Sequence, residues 1–512
     1  MTQKRVNFSR RRLLQSLGVL PLLGVLPDCA DSITPRPKII SGSSTPKSRK
    51  SSDTVLIIGA GMSGLAAANA LNNAGISNIV IEARDRIGGR LFTQNVGGIP
   101  IDLGASWIHD PTGNPIAAFA QAAGVGQTPA DPINDATSIL YYDAISGTSV
   151  QSDLVAAYTN YNLFVQTESQ WLQMLSNKAS YKDGVELFLD SQPALRLPDQ
   201  RRRSEQFIRF LFEAFDAGQW DQSSLYYDVN SPINDYGGSQ FGDFPTGGYS
   251  QLVRAMASTS DIRLRHQVKR VQVTADGVTV FANKLATSGV IPVEFKAKHV
   301  IVTLPLGVLK AGSVEFVPPL PASKQGAITR VGIGHFEKVA MRFNTPFWQA
   351  GRPSKTHLYY VTKNSNFPTE FSLFLDYQTL IGQPALVGIV TAAFAEEFIK
   401  KTPAQIRTRV MKILREVYGS SVPEPTDIAL SQWGADEFSR GSYSFLPVGA
   451  TPMDMDELGE PVGERLLFAG EASYKERYGY ADGALSSGLR EAQRLIKSGT
   501  ATVKPGPIES KH

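Results

Sequence analysis

Cysteine is almost absent from this chain, because only Cys29 occurs among its 512 residues. A single cysteine excludes an internal disulfide framework and any metal site built from several thiolates. Histidine is also scarce, and the 6 histidines are too scattered to form a cluster with metal-ligand spacing. No Gly-x-Ser-x-Gly elbow follows a strand pattern, so nothing supports hydrolysis by a serine nucleophile. We expect no metal centre and a chemistry that relies on neither thiols nor an activated serine.

The formal net charge of +4 hides an uneven distribution. Residues 1–53 hold ten Lys and Arg against three Asp, whereas the remainder holds 41 basic and 44 acidic residues. The body of the chain therefore lacks the basic excess that nucleic-acid binding requires, and its mildly acidic balance suits a small cationic substrate. With 42% apolar and 19% charged residues the composition is that of a globular protein, and the length predicts two domains.

The first residues carry a pattern typical of an export signal. Residues 9–14, Ser-Arg-Arg-Arg-Leu-Leu, form a twin-arginine sequence, and an apolar stretch occupies about residues 13–26. Pro21 interrupts this stretch, which is too short to span a bilayer as a helix. We expect residues 1–30 to be a Tat-type signal that directs the folded protein to the periplasm, or to the thylakoid lumen or cell exterior. Residues 31–52 are rich in Ser, Thr, Pro and Lys and predict a disordered linker.

A glycine-rich turn between a strand and a helix predicts a dinucleotide site. Residues 54–58 are a continuous apolar run typical of a buried parallel strand, and an Ala-rich helix pattern follows the turn. The glycines allow a close approach of the backbone to a pyrophosphate, which the helix N-terminus then stabilises. A second strand, residues 79–81, ends in Glu82, about twenty residues beyond the glycines, where an acid binds a ribose hydroxyl. The turn contains Gly59, Gly61, Ser63 and Gly64.

The segment that begins at Glu82 decides which dinucleotide is expected. Residues 82–90 read Glu-Ala-Arg-Asp-Arg-Ile-Gly-Gly-Arg, and they add Arg84, Gly89 and Arg90 to the candidate site. The second glycine pair gives another close backbone approach, and a guanidinium suits phosphate oxygens. This segment resembles the flavin-containing amine oxidase family, in which it marks FAD rather than NAD. Because no thiol lies near the C-terminus, the FAD would be held without a covalent thioether.

Four further blocks are similar to the same family, and together the matches cover most of residues 53–498. The resemblance is closest to polyamine oxidases, and it implies contacts of these blocks with the flavin, the adenine or the substrate. Glu471 is implied as an acceptor for the ribityl hydroxyls, and residues 483–496 predict a helix whose N-terminus stabilises reduced flavin. The residues that the resemblance adds are Gly104, Ala105, Ser106, Trp107, Val268, Trp433, Gly470, Glu471, Asp482 and Ala484.

Four side chains receive catalytic roles from the resemblance. Tyr443 and Tyr480 correspond to two aromatic residues that flank the amine in front of the flavin, and their faces can attract a distal cation. Lys338 corresponds to a lysine that holds a water on flavin N5, and His109 to a histidine at the substrate tunnel. Asp482 departs from the family, which usually has histidine there. We expect its carboxylate to lower the flavin potential or to contact a cationic substrate.

These patterns predict an α/β fold with a discontinuous Rossmann-type FAD-binding domain and a mixed α+β substrate-binding domain, the amine oxidase architecture. We expect the FAD-binding domain to comprise residues 53–130, 245–320 and 455–498, and the substrate-binding domain residues 131–244 and 321–454. The remaining assignments are helices within residues 150–215, strands at 338–345, 370–376 and 386–393, and a disordered tail at 499–512.

The leading interpretation is an FAD-dependent oxidation of a polyamine C–N bond, with O2 reduced to hydrogen peroxide. An L-amino-acid oxidase would need an arginine for the substrate carboxylate, whereas residues 104–109 offer Trp and His. A monoamine oxidase or a flavin desaturase is a further alternative. A scaffold that binds FAD without turnover is disfavoured by Lys338, Tyr443 and Tyr480. Histone demethylation occurs in the same superfamily, but an exported protein would not meet chromatin.

Overall fold

The computed structural model describes residues 54–129, 139–195, 197–237, 242–350 and 357–498. The predicted signal (1–30), linker (31–52) and tail (499–512), and with them Cys29, lie outside the described residues.

Helices and strands are interspersed along the described chain, with runs of consecutive helices and of consecutive strands. The strands are β1 (Val55–Ile58), β2 (Asn78–Ile81), β3 (Thr93–Val96), β4 (Ile99–Asp102), β5 (Gln127–Pro129), β6 (Ile139–Asp143), β7 (Thr148–Ser149), β8 (Asp243–Pro245), β9 (Ile262–Arg263), β10 (His266–Val273), β11 (Val278–Ala286), β12 (Gly289–Ala297), β13 (His299–Val302), β14 (Glu315–Val317), β15 (Gly332–Ile333), β16 (Phe336–Arg342), β17 (His357–Val361), β18 (Leu373–Asp376), β19 (Ala385–Thr391), β20 (Asp427–Leu430), β21 (Ser444–Phe445) and β22 (Leu466–Phe468). The helices are α1 (Met62–Asn73), α2 (Pro115–Ala122), α3 (Gln151–Met174), α4 (Tyr181–Ser191), α5 (Pro198–Asp216), α6 (Leu225–Val229), α7 (Ser250–Ala257), α8 (Leu306–Lys310), α9 (Ala322–Arg330), α10 (Tyr377–Ile381), α11 (Ala392–Phe398), α12 (Pro403–Tyr418), α13 (Pro452–Gly459) and α14 (Ala481–Lys497).

β1 lies at the centre of a fully parallel sheet. Its residues Val-Leu-Ile-Ile are all buried, as expected for a strand that is covered on both faces. The strand order is β22-β13-β1-β2-β9, and every neighbouring pair is parallel. The sheet therefore combines strands from three distant parts of the chain, and ligands of such sheets bind beyond the carboxyl ends of the strands. The Rossmann-type fold is confirmed, whereas the domain boundaries stay a prediction.

Two glycines allow close packing around the N-terminus of α1. A Cβ atom on Gly64 would overlap the carbonyl oxygen of Gly59, and one on Gly488 would overlap the carbonyl oxygen of Ser63. α1 can therefore approach the turn after β1, and α14 can approach the first turn of α1, only because these positions lack a side chain. The helix predicted for residues 483–496 is confirmed as α14, which begins two residues earlier.

A second, mixed sheet has the order β20-β16-β19-β18-β17-β6-β7 and is antiparallel except for the β17–β6 pair. The three strands predicted in this region are confirmed with shifted bounds, as β16, β18 and β19. β19 ends before residue 392 because Ala392 adopts a left-handed conformation, with φ 48°, and begins α11.

The helical region predicted for residues 150–215 consists of α3, α4 and α5, which share an aromatic core with the mixed sheet. α5 begins with Pro198 at its first position and ends at Asp216, because Ala217 turns left-handed with φ 52°. The backbone N–H of His335 donates to the carbonyl of Ala217 at 2.8 Å. This bond fixes the C-terminal end of α5 beside the start of β16.

Candidate active site

A cavity begins at the carboxyl edge of the parallel sheet and extends to α5 and the mixed sheet. Both glycine-rich segments contribute to one end of its wall, and aromatic residues of the mixed sheet and α5 contribute to the other. Most of the residues predicted for the site line this cavity, namely Gly59, Gly61, Ser63, Glu82, Arg84, Gly89, Arg90, Gly104, Ala105, Ser106, Trp107, His109, Lys338, Trp433, Tyr443, Gly470, Glu471, Tyr480 and Ala484. Residues that are far apart in sequence thus meet at one site.

The N-terminus of α1 is suited to a phosphate group. Its first turn contains no acidic residue, and no side chain caps its N–H groups. A Cβ atom on Gly61 would have no atom within 4 Å, so this part of the cavity wall is bare backbone. Unpaired N–H groups and the helix dipole stabilise an anion at such a position. The residues present therefore fit the pyrophosphate of a dinucleotide.

Both carboxylate oxygens of Glu82 accept hydrogen bonds from backbone N–H groups. Its Oε2 accepts from the N–H of Ala60 at 2.7 Å, and its Oε1 accepts from the N–H of Arg84 at 2.8 Å. The two bonds orient a buried carboxylate at the end of β2, and each oxygen keeps a further lone pair. The carboxylate can thus accept from ribose hydroxyls while it ties the first glycine turn to the segment that follows β2.

The arginines at the nucleotide end are paired within the protein. Arg84 forms an ion pair with Asp436, and Arg90 forms one with Glu471 at 2.9 Å. Arg90 also donates to the carbonyl of Ser442 at 2.8 Å. Their charges are therefore largely balanced before any phosphate binds.

Glu471, predicted as an acceptor for the ribityl hydroxyls, has several hydrogen-bond partners within the protein. Besides Arg90, its carboxylate accepts from the Ser444 hydroxyl at 2.5 Å and from the Gly479 N–H at 2.9 Å. A buried carboxylate needs such partners to offset its desolvation. Glu471 lines the cavity and also holds three wall segments together, and its contact with the ribityl hydroxyls stays a prediction.

Lys338 lies on β16 with its ammonium buried. Its Nζ donates to the carbonyls of Asp102 and Gly104, at 3.1 and 2.6 Å, and to the hydroxyl of Ser106, at 2.5 Å. These acceptors account for all three N–H bonds of an ammonium. Burial lowers the pKa of Lys338, and the nearby carboxylate of Asp102 opposes that effect. The lysine thus anchors the cavity segment 102–106, a role that the sequence resemblance did not include.

Tyr443 and Tyr480 both line the aromatic end of the cavity. The Tyr443 hydroxyl donates to the carbonyl of Ala214 in α5 at 2.5 Å, and its ring lies about 3.5 Å from the position of a Cβ on Gly479. The ring of Tyr480 meets that of His109 edge-on, with centroids 5.0 Å apart. Three of the four predicted catalytic side chains therefore form one aromatic wall.

Three predicted residues do not line the cavity. Gly64 serves the packing of α1 on the turn, as described above, and Val268 is buried in the sheet formed by β10, β11, β12 and β14. Asp482 points away from the cavity because it binds Arg477, with Oδ2 2.6 Å from Nε. The carboxylate of Asp482 is thus already paired, and its predicted influence on the flavin or on a cationic substrate stays a prediction.

Arg477 is the buried centre of an ion-pair network behind the aromatic wall. Its exposed fraction is 0%, and it pairs with Asp110 at 2.7 Å as well as with Asp482. Its guanidinium carbon also lies 4.1 Å from the ring centroid of Tyr480. Because Asp110 directly follows His109, this one guanidinium positions both Tyr480 and His109.

Sequence reasoning missed Arg477 and the far wall of the cavity. That wall is formed by residues of α5 and the mixed sheet, namely Phe210, Leu211, Ala214, Phe215, Asp216, Phe336, Tyr359, Leu373, Leu375 and Ile389. The sequence offered one clue to this wall, the acidic residue Asp216 at the end of an apolar face of α5. The other residues of the wall are apolar, and their periodicity is equally compatible with a buried core.

Within the described ranges, none of the helices combines the length and the apolar character needed to cross a membrane. The same residues contain no group of three or more His, Cys, Asp or Glu side chains that could hold a metal ion.

Comparison with known proteins identifies the family. The profile described as flavin containing amine oxidoreductase matches residues 62–496, which is most of the chain. The protein is a member of that family.

Two curated plant proteins are similar to this chain over most of its length. Lysine-specific histone demethylase 1 homolog 1 of Oryza sativa subsp. japonica is 32% identical over 508 residues, covering 96% of this chain and 56% of the relative. Protein FLOWERING LOCUS D of Arabidopsis thaliana is 33% identical over 468 residues, covering 88% of this chain and 56% of the relative. The chain therefore spans about half the length of these curated relatives.

A solved structure supports the fold. Wild-type putrescine oxidase bound to putrescine superposes with a TM-score of 0.68 at 22% identity, covering 87% of this chain and 99% of the other. The amine oxidase architecture is thus confirmed, and the cofactor of this amine oxidoreductase is FAD.

Replacement of Glu82 by Ala should weaken FAD binding by about 1–3 kcal/mol, because the ribose hydroxyls lose an acceptor and the turn loses its tie to β2. The flavin-to-protein absorbance ratio after purification, and titration of the apoprotein with FAD, measure this effect. Glu315→Ala, which removes an exposed carboxylate from β14, is the matched control. A full complement of flavin with unchanged affinity in Glu82→Ala would count against this assignment.

Replacement of Arg477 by Met should destabilise the protein by about 3–5 kcal/mol, because Asp110 and Asp482 would remain buried without their cation. Thermal unfolding of the FAD-loaded protein measures the loss. Arg494→Met removes a half-exposed arginine from the same part of the chain and should have little effect. An unchanged melting temperature in Arg477→Met would mean that the network is not required.

Proposed function

We propose that this amine oxidoreductase oxidises a C–N bond of polyamines such as spermidine and spermine. The observation that carries the proposal is the aromatic wall of Tyr443 and Tyr480, which faces the same cavity as the nucleotide-binding glycines. A ring face attracts a cation and also restricts how an amine can lie against it. The wall therefore suits an amine that must present one C–H bond in a defined direction.

The rest of the cavity suits a chain of methylene groups. Beyond the two tyrosines the wall includes Phe215, Phe336, Leu373 and Ile389, all of which are apolar. Such a slot excludes water and holds an extended aliphatic chain, and correct orientation of reacting groups contributes several orders of magnitude to a rate.

The reaction can be written without further cofactors. When bound, FAD supplies a two-electron acceptor. Loss of two electrons and two protons converts the amine into an imine, which water hydrolyses to an aldehyde and a shorter amine, and O2 takes up the electrons and protons as H2O2. The chain's own contribution is positioning: Tyr443 and Tyr480 orient the amine, and Lys338 holds the backbone of residues 102–106 in place.

The relatives favour a second candidate function, oxidation of an N-methylated lysine side chain in a peptide. The two relatives described above are 32% and 33% identical to this chain, and one of them is named a lysine-specific histone demethylase homolog. Methylated lysine, like a polyamine, is a cationic amine on an aliphatic stem. The twin-arginine signal that we propose for residues 1–30 favours polyamines, because an exported enzyme meets free amines rather than chromatin. Cell fractionation with an antibody to this chain tests that location.

A panel of amines assayed for peroxide release discriminates between these candidates. We expect spermidine or spermine to give the highest kcat/KM, ahead of a monoamine, an L-amino acid and a peptide that contains N-methyllysine. Preference for the peptide would establish the second candidate. A flavin that stays oxidised with every amine under anaerobic conditions would leave only the non-catalytic scaffold.

Replacement of Tyr443 or Tyr480 by Ala should slow flavin reduction at saturating amine on the order of a hundredfold, because the amine loses an orienting surface. Phe at either position keeps the ring and should cost much less. Stopped-flow reduction by spermidine, beside thermal unfolding, measures both effects. Tyr142→Ala, a buried tyrosine outside the cavity, should lower stability without this specific loss. Normal reduction in both cavity variants would refute the aromatic wall.

Replacement of Lys338 by Met should leave FAD bound but slow flavin reduction, reoxidation or both by tenfold or more, on the order expected when a positioning contact is lost. The physical reason is that segment 102–106 loses its ammonium anchor. The two half-reactions are measured separately by stopped flow, with Lys269→Met, an exposed strand lysine, as the control. Unchanged rates in both half-reactions would make Lys338 a structural residue only.

A further inference from the structure

Two consecutive ionisable residues of β16, Glu337 and Lys338, are buried on opposite faces of the strand. Successive side chains of a strand point in opposite directions, and Lys338 lines the cavity whereas Glu337 does not. The exposed fraction of Glu337 is nevertheless 0%. A carboxylate buried to this extent needs partners, and those partners show what it does.

The carboxylate of Glu337 accepts hydrogen bonds from the segment that follows β20. The Ser431 hydroxyl donates to its Oε2 at 2.5 Å, and the Gly434 N–H donates to its Oε1 at 3.0 Å. Burial raises the pKa of Glu337 to about 7, and the hydrogen bonds from Ser431 and from the backbone of Gly434 and Trp433 oppose that effect. Within the described ranges these donors are neutral, so no ion pair offsets the burial of Glu337. Residues 431–434 must therefore wrap closely around the carboxylate, because a displaced segment would leave it unpaired.

The start of this segment is also fixed to the backbone of β16. The Lys338 N–H donates to the Ser431 hydroxyl oxygen at 2.7 Å, and the Ser431 N–H donates to the Lys338 carbonyl at 3.0 Å. Immediately before it, Leu430 of β20 lies opposite Val339 of β16 in the antiparallel pair. The strand therefore determines where the segment begins, and Glu337 determines the path of the residues that follow.

Trp433 transmits the position of this segment to the cavity. Its side chain is buried and lines the cavity wall. The indole N–H donates to the carbonyl of Leu103 at 2.9 Å, and a Cβ atom on Gly104 would lie 3.3 Å from the indole ring. The ammonium of Lys338 binds the same stretch of backbone, as described above. Lys338 thus holds this part of the wall directly, and Glu337 holds it through Trp433.

We propose that Glu337 is a positioning residue of the FAD site, which holds the indole of Trp433 against residues 103–104. Its influence passes from the carboxylate to the backbone of residues 431–434, then through the indole to the cavity wall. The same cavity contains the nucleotide-binding glycines, so a displaced wall changes the space in which FAD binds. The assignment is independent of which amine is oxidised.

A double-mutant cycle tests this route, because residues that act through one another have non-additive effects. Glu337→Met removes the acceptors at similar side-chain length, and Trp433→Phe keeps an aromatic ring but removes the indole N–H. The apoproteins of the wild type, both single variants and the double variant are titrated with FAD, and their thermal unfolding is recorded. Glu370→Met is the matched control, since Glu370 is also a buried carboxylate, paired with Arg409, but does not line the cavity.

We expect Glu337→Met to raise the apparent Kd for FAD about 10- to 100-fold, since buried N–H groups lose their acceptor and the indole loses its position. In the Trp433→Phe background the same substitution should change the Kd by about twofold at most, because the route is already broken. Glu337→Gln keeps one acceptor oxygen and should give an intermediate Kd. It replaces Glu337→Met in the cycle if the methionine variant does not fold. Glu370→Met should lower the melting temperature without changing the Kd.

Equal changes in Kd on substitution of Glu337 in both backgrounds would overturn the route through Trp433. A lower melting temperature with an unchanged Kd would make Glu337 a structural residue only, and an unchanged Kd in Trp433→Phe would equally refute the proposal. None of these measurements uses an amine. A failure of the proposed polyamine oxidation would therefore appear only in the peroxide assay and leave this result unaffected.

Discussion

The geometry of the site depends on the hydrogen bonds that the buried carboxylate of Glu471 accepts. This carboxylate accepts from Arg90, from Ser444 and from the backbone of Gly479, and the first of these residues is hundreds of residues away from the other two in sequence. A carboxylate that is only 6% exposed would be very costly if it lost these partners. Its burial therefore requires that the second glycine-rich segment, the wall at Tyr443 and the loop before Tyr480 assemble together.

The charges around the cavity divide it into two ends with different properties. At the nucleotide end each arginine already has a carboxylate partner, so an incoming pyrophosphate is bound mainly by backbone N–H groups and by the N-terminus of α1. At the opposite end, which α5 and the mixed sheet line, the wall is mostly aromatic and aliphatic, and the C-terminal end of α5 with its partial negative charge lies there. Opposite ends of two helices thus face one cavity, one suited to an anion and the other to a cation.

The ion pair between Arg477 and Asp482 gives a structural reason for the aspartate at position 482, where the family usually has histidine. The Asp482 carboxylate binds the guanidinium of Arg477, which also contacts Asp110 and the ring of Tyr480. Buried ion pairs of this kind contribute little net stability compared with apolar packing, but they define geometry sharply because misplacement leaves a charge unpaired. The network therefore determines where the aromatic wall lies, although none of its charged groups lines the cavity.

The sequence by itself determined the nucleotide end and the fold class. Close helix–strand packing permits only glycine at Gly64, and a parallel strand buried on both faces needs an apolar run such as residues 55–58, so local chemistry is sufficient there. It did not determine the partners of Glu471, Lys338 or Asp482, because each is a polar side chain whose contacts lie far away in sequence. Only the tertiary structure decided that Asp482 binds Arg477 and that Asp216 lines the cavity. The physical reason is that a buried charge takes whichever partner the packing brings within hydrogen-bond distance, and sequence spacing carries no record of that distance.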